Sequence, residues 1–286
     1  MWRFIIVYAL VLILSGCTDH SFQSDADAST LIVEGWIEEG GYPVVILTRS
    51  LPVSTDYQNI DSLGDYIVRW AKVTISNGTE SVVLTGKIDQ GFFPPYIYTT
   101  SRMKGEAGKT YHLTAEYRDL RATAKTTIPS LPANCSFRVE RCADSDTLFQ
   151  IRAHFKDTPQ EKNYYQLFAR VGMDTKQYQA SYLGSIDDEV LEGETDMAVF
   201  RGHQFRDDDY TPYFLYNDTV SVKFSQVDET SFRIWDSYTK MQSLSSNMFL
   251  STSSDVVSNI TGGYGYWCGY AAITDYIVIR DSIGSK

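Results

Sequence analysis

From Leu31 to Ile128, apolar and polar side chains alternate at period two, through LIVEGWIEE, YPVVILTRS, DYIVRWAKVTIS, SVVLTGKI, TYHLTAEYRD and LRATAKTTI. No other feature constrains the fold as much, because successive strand residues point to opposite faces, whereas a helix brings together residues three and four apart. Turn chemistry separates the runs at Glu39-Gly40-Gly41, at Asn77-Gly78 and around Gly105 to Gly108. Asn-Gly supplies the positive φ angles that a tight hairpin requires. Short strands with such spacing predict a β-sandwich over 31–128, immunoglobulin-like or transthyretin-like in its inward and outward alternation.

Pro129 and Pro132 interrupt the pattern, each removing a backbone donor and restricting the residue before it. A linker is therefore expected at 129–134, with a second β-rich domain at 135–286. Strands resume there at SFRVERC, TLFQIRAHFKD, NYYQLFARVG, KQYQASYLG, AVFRGHQF, YNDTVSVKFSQV and YAAITDYIVIR. One segment departs from the alternation. Asp228 is a capping residue, Glu229 suits a helix N-terminus, and Phe232, Trp235 and Tyr238 follow at three-residue intervals. This predicts one principal helix over about 228–245, with its aromatic stripe laid on a sheet. The expected class is mainly β.

The N-terminus has a different character. After Met1-Trp2-Arg3, the run Phe4 to Leu14 carries no charged or amide side chain and closes in Leu14-Ser15-Gly16-Cys17. The run is too short to span a bilayer as a helix but suits the core of a signal peptide. The last four residues resemble the bacterial lipobox, which implies cleavage after residue 16 and a diacylglycerol on Cys17. Acyl chains on Cys17 would hold the chain on a membrane, since each buried methylene contributes about 0.8 kcal/mol. Residues 17–30 are small, polar and acidic and read as a flexible tether. The chain is therefore expected to be lipid-anchored to a membrane, with its body outside the cytoplasm.

The chain carries 25 basic and 36 acidic residues, a formal net charge of −11. Such a balance lacks the counterion-release contribution that drives binding to phosphate backbones, so nucleic acid is not an expected partner. The 20 tyrosines reflect strand propensity first and a sugar- or protein-binding face second. With Cys17 lipidated, Cys135, Cys142 and Cys268 remain. Cys135 and Cys142 can form a disulfide only if the chain between them turns back, because an extended strand holds them apart; Cys142 with Cys268 is the alternative.

Recognisable catalytic motifs are missing: there is no G-x-S-x-G elbow, Walker loop, H-E-x-x-H or glycine-rich dinucleotide turn. His112, His154 and His203 lie in separate strand-like segments. Two acidic clusters stand out, Asp187-Asp188-Glu189 with Glu192, Glu194 and Asp196, and Asp207-Asp208-Asp209. Calcium suits such oxygens, yet EF-hand spacing is absent and an acidic loop between strands is ordinarily a solvated surface, so neither a metal nor another cofactor is expected. The tract Thr261 to Tyr270, TGGYGYWCGY, combines glycines with four aromatic residues. It reads as a loop whose Tyr264, Tyr266, Trp267 and Tyr270 grip a partner or a sugar ring, or as a bulged turn with its aromatics packed inward.

Taken together, Leu14-Ser15-Gly16-Cys17, Val33-Glu34-Gly35-Trp36-Ile37, Pro43 to Ser50 and Ser258 to Gly265 with Gly269-Tyr270 resemble the Bacteroidota lipoproteins catalogued as domain of unknown function 4249. The resemblance covers nearly the whole chain after Cys17. It implies a lipoprotein anchored at the outer membrane, its body facing either the periplasm or the surface, of a kind often encoded next to TonB-dependent receptors, and it supplies no catalytic residues. The expected function is a lipid-anchored accessory protein that binds a ligand or docks on such a receptor. The alternatives are a hydrolase using carboxylates near Asp187 and Asp207, and a structural envelope lipoprotein.

Overall fold

The alternation becomes sheet wherever each strand can bury one face. The structure is a computed structural model that describes residues 29–50, 64–157, 162–191, 193–202, 210–245 and 256–280. Before Pro129 lie strands β1 (Leu31–Glu38), β2 (Val44–Arg49), β3 (Lys72–Ser76), β4 (Ser81–Val83), β5 (Thr85–Ile88), β6 (Tyr96–Thr99), β7 (Thr110–Tyr117) and β8 (Leu120–Thr127). After it come β9 (Cys135–Arg141), β10 (Leu148–Lys156), β11 (Tyr164–Val171), β12 (Gln179–Asp187), β13 (Glu194–Val199), β14 (Phe214–Leu215) and β15 (Thr219–Val227). Helix α1 (Glu229–Ser245) and the 16-residue strand β16 (Gly263–Val278) complete the series. The protein is mainly β, with sheets stacked as in a sandwich and α1 as its α-helix among the described residues. None of those residues forms a helix long and apolar enough to cross a membrane.

The sheets do not divide at the prolines. An eight-stranded sheet runs in the order β12-β11-β15-β16-β1-β2-β6-β5, so strands from both sides of Pro129 share it. Its central join is parallel, β1 against β16, with Leu31 opposite Gly263 and Glu38 opposite Tyr270. Residues 31–128 and 135–286 are therefore not the two separate units that the proline pattern suggested. The prolines mark instead the passage between two small sheets, β4-β3-β7-β8 before them and β13-β10-β14 with β9 after them. Each small sheet covers half of one face of the large sheet. The first core joins Val33, Leu47, Ile75, Leu113 and Trp267; the second joins Ile151, Phe155, Leu167, Val222 and Phe224.

The run SVVLTGKI, read as one strand, breaks at the buried Leu84. β4 belongs to a small sheet and β5 to the large one, so the chain changes layers there. The glycine-aromatic tract opens on a turn at Gly262, φ +80°, and from Gly263 onward is the first half of β16 and not a loop. Gly265 has φ +108° and lies so close to Val33 that an added Cβ would stand 1.9 Å from its carbonyl oxygen, so only glycine allows β1 and β16 to pair there. Asn259 supports this strand like a short extra edge, its amide donating to the Trp267 carbonyl at 2.8 Å and accepting from the Trp267 N–H at 3.0 Å.

Helix α1 lies on the other face of the large sheet. Asp228 caps it by accepting from the Ser231 N–H at 2.7 Å, while its second oxygen accepts from Thr126 Oγ1 at 3.0 Å and the Thr127 N–H at 3.1 Å. A single carboxylate thus starts the helix and ties it to β8. Phe232 stacks on Tyr164 with centroids 4.9 Å apart, and Trp235 meets Phe168 edge-on at 5.2 Å.

Candidate functional site

Period two decides what faces α1. On β1 the odd residues enter the core, and Glu34, Trp36 and Glu38 turn to the helix face; register places them opposite Tyr266, Cys268 and Tyr270 of β16. On β11 and β15 the same face carries Phe168, Arg170 and Lys223. The helix covers only part of this surface, leaving two cavities that abut across Gln177, Tyr178, Trp235 and Tyr266.

The first cavity has a volume of about 420 Å³ and a floor of Trp36, Phe168 and Tyr270. Its walls are cationic. The buried Lys223 is paired with Glu38 and stands 4.0 Å from the Tyr178 ring centroid, with Arg170 at 5.0 Å from the same ring. Lys176 donates to both oxygens of Asp89 at 2.9 Å, and that hydrogen bond holds the Asp89 carboxyl below its ordinary range. Arg170 uses one terminal nitrogen on the Thr175 carbonyl at 3.1 Å; its buried Nε has no acceptor among the described residues. The rim is built by contact between two loops, the Lys176 N–H donating to the Gly91 carbonyl at 2.7 Å.

The second cavity, about 550 Å³, has a different character. Tyr178, Trp235, Tyr238, Tyr264 and Tyr266 line it, together with Ile32, Ile234 and Val257. Among the described residues that line it, Glu34 is the one acidic or basic side chain, and burial pushes that carboxyl from 4.5 up to about 7. Among the described residues no cation pairs with it. Burial, and then the Glu34 charge, raise the phenols of both Tyr238 and Tyr266.

The four aromatics singled out from sequence separate by parity. Tyr264 and Tyr266 line the second cavity, and Tyr266 and Tyr270 the first, where the Tyr270 hydroxyl accepts from Trp235 Nε1 at 3.0 Å. Trp267 cannot belong to a partner surface. It is 0% exposed on the opposite face, packed over Gly35 in the core, with its Nε1–H donating to the Tyr111 carbonyl at 3.0 Å. The disulfide between Cys135 and Cys142 is corrected as well: unbroken strand β9 runs from Cys135 to Arg141, and both thiols are free. Cys268 is also free, and burial pushes its thiol up to about 12. Cys17 lies outside the described residues.

The first acidic cluster surrounds a lysine. Lys162 Nζ is paired with Asp187 and lies 3.1 Å from Asp188 and 2.8 Å from Glu189. Asp196 is held by Arg152 at 2.8 Å and Arg138 at 2.7 Å, and Glu194 lies 3.8 Å from His154. Glu192, His203 and Asp207 to Asp209 are outside the described residues, and His112 lies on β7 of a small sheet. Sequence reasoning passed over Glu34. The available signal was an ionisable residue in the middle of the apolar run LIVEGWI.

No curated protein matches the chain. A family model described as "Domain of unknown function (DUF4249)" matches residues 18–274, and the chain belongs to that family.

Proposed function

We propose that this is a binding protein, not an enzyme, which holds an elongated organic ligand along the helix face of its large sheet. The observation that carries this reading is the pair of abutting cavities, together lined by Trp36, Phe92, Phe168, Tyr178, Trp235, Tyr238, Tyr264, Tyr266 and Tyr270. Aromatic walls with a few directed polar groups are what a small-molecule site requires. At the Arg170 end, the unpaired Nε and the neighbouring Lys223 suit an anionic or strongly accepting group of the ligand. Asp187, Asp188, Glu189 and Asp196, the described members of the acidic segment considered for hydrolysis apart from Glu194, are engaged by Lys162, Arg152 and Arg138, which supports binding over carboxylate-based hydrolysis.

The signal-peptide pattern and Cys17 extend the proposal to location: a lipid anchor at the outer membrane, serving a TonB-dependent receptor as the family resemblance implies. Mass spectrometry of material released from the natively purified protein tests the binding role. A small molecule retained by the parent chain and lost in Trp235→Ala supports it; an extract identical to that of the variant refutes it. Cys17→Ser tests the anchor, with loss of palmitate labelling and release from membranes as the expected result. Recovery of a TonB-dependent receptor on native co-purification tests the partner.

A further inference from the structure

The two cavities differ in charge, and that difference specifies the ligand further. In the second cavity Glu34 shares the wall with five aromatic side chains, and among the described residues no lysine, arginine or histidine lines it. Trp235 and Tyr266 lie at 5.0 Å with planes inclined by 56°, and Trp235 and Tyr238 at 5.8 Å and 88°, so the walls present both ring faces and ring edges. Ring faces carry negative electrostatic potential and attract cations, and a carboxylate in the same wall supplies a full opposite charge. An anion would meet repulsion from Glu34, and a neutral ligand would leave it desolvated and unpaired, the costlier arrangement.

We infer that the second cavity recognises a cationic amine: a primary ammonium or methylated ammonium group seated against Glu34 within the cage of Trp235, Tyr238 and Tyr266. The inference rests on the groove being a ligand site and names the chemistry of one end of that ligand. Glu34 and Glu38 are four residues apart on β1, roughly 13 Å at the ordinary strand rise. A ligand spanning both cavities would thus carry its cation at Glu34 and its anionic group about that far away, beside Arg170 and Lys223.

The groups that face Glu34 from the packed elements are the phenols of Tyr238 on α1 and Tyr266 on β16. Both phenol pKa values are raised, so neither titrates between pH 5.5 and 8.5, and the carboxyl at about 7 is the group that changes charge.

Calorimetric titration of the purified full chain with 2-phenylethylammonium and with its neutral counterpart 2-phenylethanol tests the inference. The amine stays protonated across the range used. At pH 8.5 the ammonium should bind at least tenfold more tightly than the alcohol. That preference should disappear in Glu34→Gln and, with no substitution at all, at pH 5.5. Equal affinities for the two probes, or a preference unchanged in Glu34→Gln and at pH 5.5, overturn the cation site and leave the groove reading intact. No binding of either probe at millimolar concentration overturns both.

Discussion

Glu34→Gln should stabilise the protein at alkaline pH, and the size and sign of the effect follow from the buried carboxyl. In the unfolded chain the group titrates near 4.5; in the folded protein burial moves it to about 7. Between these values the native state holds a proton that the unfolded state has released, so stability falls as pH rises through this window and is level above it. The shift corresponds to about 3 kcal/mol as a ceiling, at about 1.4 kcal/mol per unit. Glutamine has nearly the same shape and cannot ionise, so the variant escapes the fall. Urea denaturation of the parent and variant between pH 4 and pH 8.5 measures it, because the difference between the two stability curves removes every group they share. The curves should nearly coincide near pH 4 and separate progressively to as much as about 3 kcal/mol in favour of Glu34→Gln by pH 8. A constant difference across this range would refute the reasoning, because it would mean that the carboxyl ionises as easily in the fold as in water. A destabilising charge kept in the wall of a cavity is the kind of cost that binding sites carry.

Other perturbations probe the frame around the site. Asp228→Ala removes the cap of α1 and the two bonds to β8 at once, and should lower the denaturation free energy by about 3 kcal/mol. Gly265→Ala forces a Cβ to within 1.9 Å of the Val33 carbonyl at positive φ; it should cost more than about 3 kcal/mol or abolish soluble expression, whereas Gly40→Ala, with nothing within 4 Å, should cost about 1 kcal/mol. Trp235→Phe keeps an aromatic ring beside Phe168 but leaves the Tyr270 hydroxyl without its donor, and a loss of about 1 kcal/mol on urea titration is expected. Alkylation under native conditions should spare Cys268 until the chain unfolds, and intact mass should show no Cys135–Cys142 bridge with or without reductant.

Much of the frame was legible in the residues. Period two gave the strands, and it also assigned faces: Tyr264, Tyr266 and Tyr270 differ from Trp267 by parity alone, so one of the four predicted surface aromatics had to point away from the others. Helix α1 was legible because Asp228, Glu229 and the Phe232, Trp235, Tyr238 stripe act within a few residues of one another. The local signals misled where the chain changes partner without changing conformation. Val83 and Thr85 are both extended and belong to different sheets. Pro129 and Pro132 interrupt the hydrogen-bonding pattern locally, yet the large sheet closes across them.

What the sequence determined by itself was local: which residues extend, which turn, which cap, and which side chains share a face. Only the tertiary structure decided that β16 returns to lie parallel to β1. Strand pairing over more than 200 residues rests on hydrogen bonds that any extended segment can make, and it is chosen by burial of whole faces. That choice set Glu34 beside Tyr266, turned Trp267 into core, and placed α1 so that Trp235 and Tyr238 enclose a carboxylate that the sequence shows only as an acid among hydrophobic residues.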